Sequence, residues 1–215
     1  MIAVIPYALE SEPPGRKATP VAWAWCALVV VLFLLENLVM AGAASAWMPP
    51  SVVRFTALVT ASAKLYPPPL FSPAELWTHQ FVHDTVLHAG WWLTLWHLLA
   101  NLAVIGGLGA ALERRIGGFA FVVALAVIAP LAALPYLVHA QSSLALSGAS
   151  GVAAGVIGLG WALCRGERAR LAVVYWAVVL VGAVPFRSHM RWLAVAFIAQ
   201  DLLRATLLAG RGGSG

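Results

Sequence analysis

The sequence predicts an all-α membrane protein, a bundle of six transmembrane helices with a structured loop between the first and second. Three observations carry this. Of 215 residues, 62% are apolar and only 10% are charged, against about 45–50% and about 25% in a soluble domain. The mean hydropathy is +0.89. The apolar residues gather into six runs, most near the roughly 20 residues that cross a hydrocarbon core as a helix. This composition excludes a soluble enzyme, a disordered tail and a fibrous repeat.

The first run is Val21 to Ala41, with Glu36 inside it. The second covers about Trp91 to Leu112 and the third about Phe119 to Val138. The fourth starts near Ala149 and ends at Cys164. The fifth, about Leu171 to Phe186, is short for a span, and the sixth, about Met190 to Leu208, is interrupted by Gln200, Asp201 and Arg204. No long polar linker divides the chain. It reads as a cytoplasmic N-terminal segment (1–20), one helical membrane domain (21–208) and a flexible tail (209–215). The N-terminus has no basic region ahead of an apolar stretch, so it does not read as a cleaved signal peptide.

The connection between the first two runs differs in character. It holds Pro49, Pro50, Pro67, Pro68, Pro69 and Pro73, several aromatics, and His79, His83 and His88. Ser51–Lys64 reads as an amphipathic helix lying in the interface. The loop is too apolar to float free.

Thirteen Lys and Arg against eight Asp and Glu give a net charge of +5. The basic residues are thinly spread, so they orient the chain in a bilayer rather than bind nucleic acid. With the N-terminus inside, nine basic residues fall on cytoplasmic segments, among them Arg114, Arg115, Arg165, Arg168 and Arg170. Four (Arg54, Lys64, Arg187 and Arg191) fall outside. Both termini are therefore expected in the cytoplasm. Cys26 and Cys164 show no metal spacing, and a disulfide is not expected.

The polar residues that could carry chemistry lie towards the exterior in this topology. Ser150, in Gly148-Ala149-Ser150-Gly151, falls in the first turn of the fourth helix, where free N–H groups and the helix dipole favour negative charge. The bland reading is an N-cap followed by small-residue packing through Gly151-x-x-x-Gly155. His97 and Asn101 are four apart and project from one face of the second helix. They either line a shared polar site or glue two helices together. His189 opens the sixth run on the outer face. A hydroxyl, a base and oxyanion donors are what acyl transfer requires. The remaining polar residues take bland readings: Glu36 as an interhelical partner, Glu113 with Arg115 as a clamp at the inner turn. No phosphate loop, metal cluster or nucleotide fingerprint is present, so no cofactor is expected.

From about Thr78 to Leu208 the ordered set resembles the rhomboid family of intramembrane serine proteases. Gly148-Ala149-Ser150-Gly151 matches its GxSG, His97-Leu98-Leu99-Ala100-Asn101 matches HxxxN, Leu112 to Gly117 is similar to the turn closing the second helix, and Cys164 to Arg168 to the inner end of the fourth. The resemblance implies Ser150 as nucleophile and His189 as general base, a dyad without a carboxylate. It implies an oxyanion hole from His97, Asn101 and the Ser150 N–H, and close substrate approach at Gly148, Ala149 and Gly151. The glycine-rich fourth helix should then let the sixth approach, bringing His189 to Ser150.

The chain departs from the family pattern in three places. Trp92 stands where the family has a further histidine, and His79, His83 and His88 resemble that upstream stretch, displaced by about nine residues. Trp192 and Ala196 replace the sixth-helix glycines, and Trp192 should push the fourth and sixth helices apart. Ala154 stands where some relatives carry an aromatic.

The implied function is an intramembrane serine endopeptidase. It would cut membrane-anchored proteins near the outer end of a transmembrane segment, in a bacterial inner membrane. Its partners would be a transmembrane protein substrate and the lipid bilayer. The compact chain is also similar to the rhombosortase branch. The alternative is a catalytically inactive rhomboid-like protein that binds transmembrane helices, motivated by Trp192 and by an alignment placing Gln200 at the base position. A transporter ranks last, because no inverted repeat is found.

Overall fold

A computed structural model of the chain describes residues 2–10, 18–45, 47–66, 70–83, 91–139, 147–177 and 180–199. His88, Gln200, Asp201, Arg204 and the tail 209–215 lie outside the described residues. The elements in order are β1 (Ile2–Leu9), α1 (Pro20–Ala44), α2 (Pro50–Ala63), α3 (Glu75–Thr78) and a 3-10 turn (His79–Phe81). There follow α4 (Trp91–Val104), a π-helical segment (Ile105–Gly109), α5 (Ala110–Ile116), α6 (Gly118–His139), α7 (Ser150–Leu163), β2 (Arg168–Ala177) and β3 (Leu180–His189). Last comes α8 (Met190–Ala199).

The chain is mostly helical, and among the described residues three helices are long and apolar enough to cross a membrane: Pro20–Ala44, Thr94–Ile116 and Gly118–Val138. They correspond to the first three apolar runs. Ser150–Leu163 and Met190–Ala199 are shorter apolar helices. This is an integral membrane protein by the length and composition of its helices. The lipid-facing surface shows it: Leu34, Leu35, Phe119, Val127 and Leu131 are all more than half exposed.

The expected fifth helix is corrected. Its residues form the hairpin β2–β3, and β1 adds to it in a three-stranded antiparallel sheet of order β1-β2-β3. The fold is therefore not all-α. The run is rich in residues that suit a pleated strand (Val173, Val174, Tyr175, Trp176, Val181, Val184). Pro185 would break a helix there but is tolerated on the edge strand β3. Pro6 sits likewise on the edge strand β1, where the register shifts between Pro6 and Ala8. The residues read as a separate N-terminal segment thus pair with β2, from Ile2 opposite Tyr175 to Leu9 opposite Ala169.

One core holds the helices and the base of the sheet together. Val29 and Phe33 of α1, Leu108 and Leu112, Phe121 of α6, Val156 and Ile157 of α7, Leu171 of β2 and Met190 of α8 are buried in it. Gly151 and Gly155 of α7 face α6. A Cβ on Gly151 would lie 2.8 Å from Ala132 Cβ, and one on Gly155 would lie 2.2 Å from Ile128 Cγ2. Small residues let these two helices touch, which is the packing role the sequence offered for them. It is α6 that they admit, however. Among the described glycines of α7, Gly160 is the one against the sixth run, where a Cβ would lie 2.7 Å from the Met190 Cε.

Two polar contacts fix the helix ends. Glu113, 2% exposed, accepts the N–H groups of Val21 at 3.1 Å and Ala22 at 2.8 Å, so a carboxylate from α5 caps the start of α1. The expected clamp is real but differently wired, since Arg115 pairs with Glu167 after α7. Pro130 within α6 leaves the Ala126 carbonyl without its intrahelical donor. The indole N–H of Trp77 fills that place at 2.8 Å and pins the loop against α6. The helix expected over Ser51–Lys64 forms as α2, with no residue buried and Val52, Phe55, Leu58 and Val59 exposed.

Candidate active site

Ser150 is the first residue of α7 and is half-buried. The turn before it is held by the loop that follows α3. Gly148 has φ +107°, a left-handed conformation that suits glycine. Its N–H donates to the His79 carbonyl at 2.9 Å. The Ala149 N–H donates to His83 Nε2 at 3.4 Å. A Cβ at Gly148 would lie 3.8 Å from His97 Nε2 and 3.9 Å from His83 Cδ2. Absence of a side chain at Gly148 thus leaves a gap lined by two imidazoles.

His97 and Asn101 lie one turn apart on α4, as their spacing predicts. Asn101 Nδ2 is 3.2 Å from His97 Nε2. Drawn this way, the amide donates and Nε2 accepts, which places the His97 proton on Nδ1. The His83 and His97 rings are 6.3 Å apart between centroids. His79, His83 and Asn101 are buried. His79 Nδ1 bonds to the Glu75 carbonyl at 2.8 Å. Burial pushes the His79 imidazole below its ordinary value, and bonds to the Glu75 and Leu76 backbone oppose this in part.

His189 stands elsewhere. It ends β3, opposite Arg168 in the register, and the next N–H, of Met190, donates to the Glu167 carbonyl at 3.2 Å. These partners follow the C-terminal end of α7, while Ser150 is at its N-terminal end. Fourteen residues of helix separate the two ends, about 21 Å at a rise of about 1.5 Å each. The structure does not bring His189 to Ser150. The reason is one of parity. A single helical crossing would carry the chain to the far side, whereas two equal antiparallel strands return it to where it left. Trp192 does not wedge the helices apart either. It is 58% exposed and lies beneath the Arg191 guanidinium.

Of the expected site residues, the structure therefore gathers Ser150, Gly148, Ala149, His97 and Asn101 at one end of α7. It adds His83, whose role the sequence left open. The signal for His83 was its spacing of four from His79, which lets one short loop supply a carbonyl and an imidazole to successive amides.

A gap lined by imidazoles and an amide beside a helix-start serine can hold a carbonyl oxygen and accept a proton. The comparisons with known proteins give the family. The Rhomboid domain matches residues 73–200. Two curated relatives are similar, each 29% identical over 161 residues: the Rhomboid protease GlpG of Klebsiella pneumoniae subsp. pneumoniae and that of Klebsiella pneumoniae strain 342. The match covers 74% of this chain and 49% of each relative, so the chain spans about half the length of the curated relatives it matches. No solved structure matches it. With the domain spanning α3 to the end of α8, through the candidate serine, histidines and asparagine, the chain belongs to the rhomboid family.

Proposed function

We propose that this protein is an intramembrane serine endopeptidase that cuts membrane-anchored proteins near the outer end of a transmembrane segment. The observation that carries the reading is the convergence of His83, His97 and Asn101 on the Gly148–Ser150 turn. Ser150 Oγ attacks the scissile carbonyl carbon, and its proton passes to an imidazole. In this arrangement the imidazole at hand is His83, whose Nε2 already faces the amide one residue before Ser150. The oxyanion forms beside the Ser150 N–H and the second N–H of the Asn101 amide, which His97 Nε2 holds in place by accepting the first, so that fixed donors act without reorganisation. Collapse of the intermediate returns the proton to the leaving amine and leaves an acyl-serine, which water hydrolyses by the same route. Cleavable segments should carry small or helix-breaking residues, because a helix hides its carbonyls in i→i−4 bonds.

A second reading is a member of the family that binds transmembrane helices without cutting them. The position of His189, at the opposite end of α7 from Ser150, favours it.

A serine-reactive fluorophosphonate probe on the purified protein in lipid nanodiscs decides between them. Labelling lost in Ser150→Ala and in His83→Gln, but kept in His189→Ala, supports the enzyme with His83 as base. Labelling lost in His189→Ala but kept in His83→Gln overturns that assignment and restores the dyad with His189. No labelling of a folded wild-type protein supports the binder.

A further inference from the structure

The end of the molecule away from Ser150 carries a patch of positive charge that neither reading uses. Arg168 and Arg170 alternate with Ala169 and Leu171 along β2. The first two are exposed, and the latter two are buried in the core. Their register partners on β3 are His189 and Arg187. Antiparallel partners share a face, so Arg168, Arg170, Arg187 and His189 form a two-by-two cluster on the outer face of the sheet. Arg170 and Arg187 are directly opposed, an arrangement that destabilises a bare sheet.

The described acids at this end, Glu10 and Glu167, are already engaged. Glu10 pairs with Arg187, and Glu167 with Arg115. Among the described residues no carboxylate pairs with Arg168 or Arg170. Beside the cluster, Arg165 lies over the Trp161 ring at 6.0 Å and Arg191 over Trp192 at 5.5 Å. One turn on from Trp192, Val195 is 52% exposed.

We infer that this cluster, Arg168 and Arg170 beside the Arg187–Glu10 pair and flanked by Arg165 and Arg191, binds the headgroups of anionic phospholipids in the leaflet it meets. A phosphate answers the Arg168 and Arg170 guanidinium groups, as arginine forks suit phosphate oxygen acceptors. The acyl chains then run along the exposed Trp161, Trp192 and Val195 side chains. A free phosphate would use the cations and leave that apolar flank bare, which is why the lipid is the fitting occupant.

The test uses the full chain in nanodiscs of pure phosphatidylcholine and of an equimolar mixture with phosphatidylglycerol. Native mass spectrometry after release reads which lipids stay bound. Phosphatidylglycerol should be retained in preference. The preference should fall about five-fold for each of Arg168→Gln and Arg170→Gln, the worth of one basic residue at an anionic surface. Arg170→Lys should keep most of it, and Arg54→Gln on α2 should keep all of it. If the strand variants do not fold, Arg165→Gln, in the turn after α7, gives the same reading outside the ladder. The inference is overturned by no preference in the wild type, by an unchanged preference in the variants, or by full displacement of the lipid by inorganic phosphate.

Discussion

Gly155→Ala tests the helix contact on which Ser150 is mounted. The added Cβ would stand 2.2 Å from Ile128 Cγ2, 3.1 Å from Cγ1 and 3.2 Å from Cβ. Carbon atoms pack best at about 3.5–4.0 Å, so α6 and α7 must part by more than about 1 Å at this point. Ile128 cannot swing clear, because a β-branched side chain in a helix has one strongly preferred rotamer. Overpacking of this kind costs about 1–3 kcal/mol, and the fixed rotamer puts this site at the upper end. Alanine returns up to about 1 kcal/mol through its better helix propensity. The net expectation is a destabilisation of about 1–2 kcal/mol. Gly158→Ala is the internal control, since nothing lies within 4 Å of its missing Cβ, and it should be neutral or mildly stabilising. Equilibrium unfolding of each variant in bicelles measures both. Ile128→Ala in the Gly155→Ala background should recover about 1–2 kcal/mol relative to additivity, as contacting sites do. Equal stabilities for Gly155→Ala and Gly158→Ala, or a strictly additive double variant, would refute the reasoning.

Glu113→Gln removes the charge and one of two acceptors at the start of α1. Charge-assisted bonds are worth about 1.5–3 kcal/mol each, so a loss of about 2–4 kcal/mol is expected in the same unfolding assay. A loss under about 0.5 kcal/mol, the range of neutral surface changes, would show that the cap is idle. Trp77→Phe leaves the Ala126 carbonyl without a donor. It should lower stability by about 1 kcal/mol, the low end for an abandoned acceptor because the site is partly exposed, and a normal melting temperature would contradict the contact. Burial lowers the His79 pKa, so the unfolded chain binds its proton at a higher pH than the folded one. Stability conferred by this loop is thus full above the ordinary imidazole value of about 6.5 and declines as the pH falls below it, by at most about 1.4 kcal/mol per pH unit. His79→Gln should flatten that slope, and an identical pH dependence of unfolding in both proteins would exclude His79 as its source.

The first three helices were legible because a long apolar run within one stretch of chain decides them locally. The sheet was not. Hydropathy does not distinguish a strand from a helix over Leu171–Phe186, and what arbitrates is a partner, Ile2–Leu9, more than 160 residues away. The site divides the same way. Ser150 at a helix start, and His97 with Asn101 on one face, follow from spacing alone. His83 reaches the serine turn across an interruption that hides its relation to His97. The position of His189 depended on how many times the chain traverses between Glu167 and Met190, a count that side-chain identities do not encode.

The π-helical segment at Ile105–Gly109 sets the phase of the whole second span. Asn101 and Glu113 are twelve residues apart, which in a regular helix of about 100° per residue would turn them roughly 120° from each other. Five residues wound wider, at about 82° each, lag by about 90° and leave them roughly 30° apart. One continuous rod thereby aims an amide at the serine turn and, lower down, a carboxylate at the first helix. Had the winding been uniform, turning either group inward would have swung the other towards the acyl chains.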